Sequence, residues 1–218
     1  METIWNTGIY VTQLAQMPGP WLAMPMRVIS GLGTEPFYIG LLVVIYWCVS
    51  SSLGIRLAVM VMLSSTVNTA CKLLFHHPRP CWFSPEVRAY APENSFGLPS
   101  GHAQNAVSVW GMLAVICRRR PVTIAAVILI LLISFSRIYL GVHFITDILA
   151  GWITGLVLLL CAVKLMAPAA GRLEKLGLKK QVAAACIISA GALLIQLAPL
   201  LLHQGWAMPE AWRQNIPL

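Results

Sequence analysis

Apolar residues are grouped along this chain into long continuous runs instead of alternating with polar residues. Six runs are long enough to cross, or nearly cross, the roughly 30 Å hydrocarbon layer of a bilayer. They cover residues 37–49, 57–75, 103–117, 122–135, 144–163 and 182–202. The pattern therefore predicts six membrane-spanning helices of uneven length.

The stretch at residues 9–32 is less regular than the six runs. It is interrupted by Pro18, Gly19 and Pro20, and it carries Arg27. Because proline removes a backbone donor and breaks a helix, this stretch is predicted to be either a broken span or an interfacial helix.

Composition supports a membrane protein and excludes other classes. Of 218 residues, 58% are hydrophobic and 10% are charged, and the mean hydropathy is +0.77. Soluble domains keep about 25% of their residues charged, and disordered, coiled-coil and collagen sequences have different signatures. We expect one all-α, polytopic membrane helical bundle with a six-span core and an extra helical segment. Its predicted parts are a single domain at 1–218, a motif core at 57–165, an N-terminal segment at 1–35 that is a candidate interfacial element, and an additional C-terminal span at 182–202.

The net charge of +8 indicates how the predicted spans are oriented in the membrane. The cations lie between apolar runs instead of forming a basic face interleaved with aromatic residues, so no nucleic-acid partner is expected. If the runs cross alternately, one side collects nine cations and one acid, namely Arg56, Arg118, Arg119, Arg120, Lys164, Arg172, Lys175, Lys179 and Lys180 with Glu174. The other side is balanced, with five cations and five acids, namely Lys72, Arg79, Arg88, Arg137 and Arg213 with Glu35, Glu86, Glu93, Asp147 and Glu210. Because Lys and Arg near spans are retained in the cytoplasm, the balanced side is predicted to be extracytoplasmic.

The only long polar connection is the segment 76–99, which contains five prolines. Binding and catalytic residues are often found in such loops, so this segment is the first candidate for a functional site. His76 and His77 are predicted to be ordinary loop residues, because adjacent side chains in an extended segment diverge and no second ligand pair accompanies them.

Three polar clusters meet at the extracytoplasmic ends of the predicted helices. Their members are Lys72 and Arg79, then Ser100, Gly101 and His102, then Arg137, His143 and Asp147. Cations at a membrane boundary are costly unless they are paired or occupied by an anion. Positive charge is in excess here, so the clusters predict an anionic ligand.

Phosphate suits these donors. Arginine binds phosphate oxygens with two parallel N–H groups, and lysine supplies a point charge. Pro99 followed by Ser100 and Gly101 predicts a helix start, whose free N–H groups favour an oxyanion. A metal is not expected, since no thiolate pair lies near and the excess cations would repel a divalent ion.

His143 and Asp147 are four residues apart at the predicted start of a helix, so they share one face. The carboxylate can hold one ring nitrogen and leave the other free to attack. His102 could then protonate the leaving oxygen as a general acid.

The spacing of these residues resembles a known signature. Lys72-x6-Arg79-Pro80, Pro99-Ser100-Gly101-His102 and Ser136-Arg137-x5-His143-x3-Asp147 are similar to the three motifs of the type 2 phosphatidic acid phosphatases. That family is the membrane branch of the superfamily that includes the vanadium haloperoxidases. Three blocks in the right order are far more specific than one short motif.

The resemblance implies metal-independent hydrolysis of a membrane lipid phosphate or diphosphate, with no cofactor, through a phosphohistidine. It implies that His143 is the nucleophile, Asp147 its orienting acid and His102 the general acid. The phosphate-binding residues it implies are Lys72, Arg79, Ser100, Gly101 and Arg137. Substrates of the undecaprenyl diphosphate, phosphatidylglycerol phosphate or phosphatidic acid type in a bacterial inner membrane are expected.

Two alternatives remain open at this point. A lipid phosphotransferase would use the same intermediate with another acceptor. A non-catalytic binder or transporter of lipid phosphates would keep only the anion site. The presence of His102, His143 and Asp147 favours catalysis, because binding phosphate alone would not require two histidines and an orienting acid.

Overall fold

The computed structural model describes residues 2–202 and 205–216, and within them every regular element is helical. One 3-10 turn, Pro20–Leu22, accompanies ten α-helices in this part of the chain. They are α1 (Glu2–Gln16), α2 (Ala23–Gly31), α3 (Glu35–Cys48), α4 (Ser51–Phe75), α5 (Pro80–Phe83), α6 (Gly101–Cys117), α7 (Arg120–Tyr139), α8 (Ile145–Glu174), α9 (Leu178–Leu202) and α10 (Glu210–Gln214). The all-α prediction is confirmed.

Each of the six apolar runs lies on a helix, namely α3, α4, α6, α7, α8 and α9. By length and composition, α4 with the short α5, and α7, α8 and α9, are long and apolar enough to cross a membrane. The 3-10 turn and α2 form with α3 a pair bent by 46° that passes the same test together. Helix α6 has 17 residues, a little short of the about 20 that a crossing uses.

Local sequence explains where the helices that carry the site begin and end. Ser50 and Ser100 are N-caps of α4 and α6, and their Oγ atoms accept hydrogen bonds from backbone N–H groups. His76 closes α4 in the left-handed conformation with φ 46°. Asp147, in the first turn of α8, accepts a bond from the N–H of Phe144 at 2.9 Å. The caps at His76, Ser100 and Asp147 turn the chain at the end of the bundle that holds the polar clusters, whereas Ser50 begins α4 at the opposite end of that helix.

The apolar core lies between α3, α4, α6 and α8. Tyr38, Leu57, Met60 and Val109 are fully buried there. The outer faces are apolar as well as exposed, and Ile187 on α9 is 71% exposed. Such a surface fits contact with lipid instead of water.

Two glycines let α8 lie directly on α6. A Cβ on Gly151 would stand 2.7 Å from the carbonyl oxygen of Ser100, and a Cβ on Gly155 would stand 2.7 Å from that of Gln104. Glycines four residues apart are a common way of bringing membrane helices close together. Here the contact holds the start of α6 against the start of α8, where His102 and Asp147 lie.

The N-terminal stretch is interrupted as its prolines predict. Helix α1 ends at Gln16, before the 3-10 turn, and it lies across the proline-rich loop. Gln13 donates to Glu86 at 2.9 Å, and Gln16 donates to the carbonyl of Arg88 at 2.8 Å. Arg27 on α2 donates to the carbonyl of Tyr90 at 2.6 Å. The segment therefore supports the loop at the polar end of the bundle.

Candidate active site

The three polar clusters meet around one cavity of about 180 Å³ at the polar end of the bundle. Lys72, Gly101, His102 and His143 all line it. The other lining residues are Gly33, Thr34, Glu35, Asn68, Glu93 and Asn105. Residues from α4, α6, the proline-rich loop and the turn between α7 and α8 therefore face one small space.

His143 lies in the turn between α7 and α8 and is almost completely buried. Its Nδ1 is 3.3 Å from Oδ2 of Asp147, which is itself fully buried. A carboxylate only accepts hydrogen bonds, so this contact places the ring proton on Nδ1. The other nitrogen, Nε2, is then unprotonated, and it accepts a hydrogen bond from the guanidinium of Arg79.

The surroundings of His143 keep it neutral. Burial, and after it the positive charges of Arg79, Arg137 and Lys72, hold the pKa of His143 well below its ordinary value. Its Nε2 is 3.2 Å from Nη1 of Arg79. An N–H of Arg79 points at the lone pair of Nε2, and a bound phosphoryl oxygen would have to take that N–H before the neutral imidazole could attack.

Arg79 is fully buried and is held by the backbone of two loops. Its Nη1 donates to the carbonyl of Val142 at 2.8 Å, and its Nε donates to the carbonyl of Ser95 at 2.5 Å. Its Nη2 donates to Glu93 at 3.2 Å. The guanidinium is thus fixed in place before any ligand binds.

Glu93 links the two arginines of the site. One carboxylate oxygen pairs with Arg79 and the other pairs with Arg137, whose Nη1 also donates to Ser30 at 2.6 Å. Burial alone would raise the pKa of Glu93, but Arg79, Arg137 and Lys72 outweigh it, so the pKa lies below its ordinary value. An ionised carboxylate therefore bridges the cations that a phosphoryl group would need.

Lys72 and His102 complete the cavity wall. Lys72, in the last turn of α4, donates through Nζ to Oγ of Ser95 at 2.8 Å. His102, in the first turn of α6, has no hydrogen-bonded ring nitrogen within the part of the chain that the structure describes. Its ring faces the cavity and is available to a ligand.

Ser100 and Gly101 both lie at the start of α6, Ser100 as its N-cap and Gly101 as its first residue. The Oγ of Ser100 accepts from the N–H of Ala103 at 3.4 Å, and its own N–H donates to the carbonyl of Asp147 at 2.9 Å. Ser100 is fully buried as a cap, whereas Gly101 lines the cavity. A Cβ on Gly101 would stand 3.0 Å from Oδ1 of Asn68, so a larger residue there would require the Asn68 side chain to move slightly.

Beneath the cavity, a buried polar network joins three helices that the sequence reading treated as apolar runs. Gln104 donates to Oγ of Ser64 at 3.0 Å, and Asn68 donates to Oε1 of Gln104 at 3.0 Å. Thr154 on α8 donates to the same Oε1 at 3.1 Å. Mutual satisfaction of these groups holds α4, α6 and α8 in one arrangement.

Sequence reasoning missed two residues of the site. Glu93 was counted only as a charge of the balanced side, although the excess of cations indicated that a negative group was needed nearby. His77 lies in irregular backbone between α4 and α5, as predicted for a loop residue, but nothing in the sequence indicated that its Nδ1 would be 3.2 Å from Oδ1 of Asp147. Neither position belongs to a helical period that could have placed it.

A membrane-embedded helical bundle with a buried histidine–aspartate pair beside an arginine and lysine anion site defines a class, the membrane phosphatases. The comparisons with known proteins agree. Residues 53–170 match the family model of the PAP2 superfamily. This is more than half of the chain, and the chain belongs to that superfamily.

Similar proteins act on lipid phosphates. Phosphatidylglycerophosphatase B of Bacillus subtilis is 32% identical over 170 residues, which are 72% of this chain and 78% of that protein. The undecaprenyl-diphosphatase of Sulfolobus acidocaldarius is 29% identical over 104 residues, 47% of this chain and 50% of that protein. The crystal structure of a transmembrane PAP2-type phosphatidylglycerolphosphate phosphatase from Bacillus subtilis superposes with a TM-score of 0.66 at 26% identity, covering 82% of this chain and 90% of that one. The chain is an integral membrane protein and a lipid phosphatase.

Proposed function

We propose that this protein removes phosphate from a membrane lipid phosphate or diphosphate without a metal, through a phosphohistidine on His143. The observation that carries the proposal is the placement of His143. Its Nδ1 faces Asp147, and its unprotonated Nε2 lies 3.2 Å from Nη1 of Arg79, at a cavity shared with Lys72 and His102.

The chemistry proceeds in two steps. The lone pair on Nε2 of His143 attacks phosphorus while the bond from phosphorus to the lipid oxygen breaks, and His102 gives its proton to that oxygen. Burial and the nearby Arg137, Lys72 and Arg79 hold the pKa of His102 well below its ordinary value, so His102 would take up this proton only beside the bound phosphoryl anion. Asp147 stabilises the positive charge that develops on the imidazole. In the second step His102 removes a proton from water, the water oxygen bonds to phosphorus, and the bond to Nε2 breaks to release phosphate.

The cations perform the role that a metal performs in other phosphatases. Arg79 and Arg137 would exchange Glu93 for phosphoryl oxygens, and Lys72 and the N–H groups at Gly101 would bind the rest. Three fixed positive charges in a cavity poor in water stabilise the charge of the transition state strongly.

A lipid substrate is supported by a second space beside the cavity. A mostly apolar groove of about 510 Å³ lies between α3, α4 and α9, and Glu35 lines both spaces. A lipid tail can remain in the apolar phase while its phosphate reaches His143. We favour a polyprenyl diphosphate phosphatase or a broad lipid phosphate phosphatase, with its site at the extracytoplasmic face of a bacterial inner membrane.

The test is phosphate release by the purified chain in detergent from a panel of lipid phosphates and diphosphates, in the presence of EDTA. We expect wild type and His76→Asn to be active and His143→Ala to be inactive. His76 is a suitable control because asparagine also tolerates its left-handed conformation. Activity that EDTA abolishes, or that survives in His143→Ala, would contradict the mechanism.

A second measurement separates hydrolysis from transfer. With a radiolabelled phosphoryl group, we expect label on the protein that is stable in alkali and lost in acid, as a phosphohistidine is, and then label in free phosphate. Label that moves to an added acceptor lipid in preference to water would identify a phosphotransferase instead.

A further inference from the structure

His77 lies behind the catalytic pair, on the side of Asp147 that faces away from His143. Its Nδ1 is 3.2 Å from Oδ1 of Asp147, and its side chain is 16% exposed. Oδ1 of Asp147 and Nδ1 of His77 are both buried, and neither has a full hydrogen bond to any other group in the described part of the chain. Each is therefore the natural partner of the other, and a small rotation of the ring would align them.

Trp5 fixes the tautomer of His77. The indole N–H of Trp5 lies 2.7 Å from Nε2 of His77. Indole nitrogen can only donate, so Nε2 must be the accepting, unprotonated nitrogen. In neutral His77 the proton then lies on Nδ1, the nitrogen that faces Asp147.

Asp147 is fully buried, and each of its oxygens faces an imidazole. Oδ2 accepts from the N–H of Phe144 and contacts His143, whereas Oδ1 faces His77. A buried carboxylate is costly unless its lone pairs are satisfied, and it rotates unless both oxygens are held. Backbone contact at Oδ2 alone would leave Oδ1 without a donor.

We propose that His77 is a positioning residue that holds Asp147 in the orientation that His143 needs. This inference rests on the proposed function. Trp5 sets the donor on His77, His77 binds one oxygen of Asp147, and Asp147 orients His143 through the other. His77 contacts neither phosphate nor leaving group, so its loss slows the chemical step and leaves substrate binding nearly unchanged.

A matched pair of amides tests the direction of the contact. In His77→Asn the amide nitrogen replaces Nδ1 and keeps the donor toward Asp147. In His77→Gln the longer amide reaches the position of Nε2, which keeps the contact with Trp5 and loses the donor. We expect His77→Asn to keep kcat within about threefold and His77→Gln to lose about 10- to 100-fold, the range seen when an orienting partner of a metal-bound histidine is removed. KM should change less than about threefold in both.

The outcomes are decisive because the variants differ by one methylene. Equal kcat in His77→Asn and His77→Gln, whether high or low, would overturn the proposal, as would a loss that appears in KM alone. The melting temperatures of both variants, measured with His76→Asn as a control, show whether a loss of activity results from a loss of folding. If His143→Ala is active the proposed function fails, whereas if only His77→Gln is fully active this inference alone fails.

Discussion

Glu93 occupies the position between Arg79 and Arg137 that a phosphoryl group would have to take. Its carboxylate neutralises part of the cradle while no ligand is bound. We expect Glu93→Gln to bind the phosphate analogue vanadate about three- to tenfold more tightly, because an anion would no longer compete with a fixed carboxylate. Inhibition of phosphate release by vanadate measures this.

The same change should lower the melting temperature, because two buried guanidinium groups lose their counter-ion. Glu86→Gln is the matched control, since Glu86 lies on the same loop and its exposed carboxylate accepts a hydrogen bond from Gln13 on α1. It should leave vanadate inhibition unchanged. Weaker vanadate binding by Glu93→Gln would show that Glu93 supports the anion site instead of competing for it.

In the proposed mechanism, the acid limb of the pH–activity profile reports protonation of the nucleophile His143. The nucleophile must be neutral, and burial together with the neighbouring cations holds its pKa well below its ordinary value. Protonation therefore removes activity only as the pH falls through that lowered pKa. We expect kcat/KM to be retained as the pH falls through about 6.5, the ordinary histidine value, with the acid midpoint below it.

The measurement is kcat/KM of the purified enzyme against pH, with the exposed Arg213→Gln as a control that should not shift the midpoint. An acid midpoint at or above the ordinary histidine value would mean that His143 does not titrate as this environment requires.

Residue type and spacing were enough to locate the site residues that lie at helix ends. His143 and Asp147 are four apart, and Lys72 ends an apolar run, so both patterns located them. Glu93 and His77 lie in irregular backbone, and their positions depend on how the proline-rich loop folds back over α4. No periodicity encodes that path, so the sequence could supply only the sign of the missing charge.

Among the elements, the contact between α6 and α8 is the one on which the site depends. A Cβ on Gly151 would meet the carbonyl oxygen of Ser100 at 2.7 Å, and backbone cannot move aside as a flexible side chain can. We expect Gly151→Ala to reduce kcat at least about tenfold and to lower the melting temperature, because it separates the starts of the two helices.

Gly171 provides the control within the same helix. A Cβ there would meet no other atom within 4 Å, so Gly171→Ala should be neutral or slightly stabilising, by about 0.5–1 kcal/mol, through helix propensity. Phosphate release and the melting temperature, measured for both alanine variants, test whether close packing at Gly151 is needed. Equal behaviour of the two alanine variants would show that close packing at Gly151 is not required.

Helix existence followed from hydrophobicity, since every apolar run became a helix. The close approach of α6 and α8 could not be predicted in this way. A glycine inside an apolar run does not show by itself that another helix will pack against it. The polar residues Ser64, Gln104 and Thr154 were missed for a related reason: each is isolated in an apolar run, and only packing brings them together.

For the whole molecule, the uneven distribution of cations predicts how the bundle lies in the membrane. Arg56 and Arg118 line one cavity of about 410 Å³ with Met166, and none of the predicted site residues lines it. Cysteines introduced at Glu86 and Lys179, which are both exposed, test the orientation. In intact cells, an impermeant maleimide should label Glu86→Cys directly and Lys179→Cys only after permeabilisation.

Labelling of the two positions in the opposite order would reverse the predicted orientation and leave the chemistry of the site intact. The fold class and the convergence of the motifs could be predicted because a membrane restricts a chain to few arrangements. The path of the N-terminal segment could not, because contacts with the loop, such as that of Gln16 with Arg88, decide it.

The cavity at His143 has a volume of about 180 Å³, whereas pockets that enclose a drug-sized ligand measure about 300–1,000 Å³. A space of this size admits a terminal phosphate and little of what is attached to it. The remainder of the lipid would then lie outside this cavity, so we expect the choice of lipid to depend on the neighbouring groove and on which lipids are abundant in the membrane. The set of lipids that such an enzyme dephosphorylates would then change with the composition of the membrane around it, without any change in its own residues.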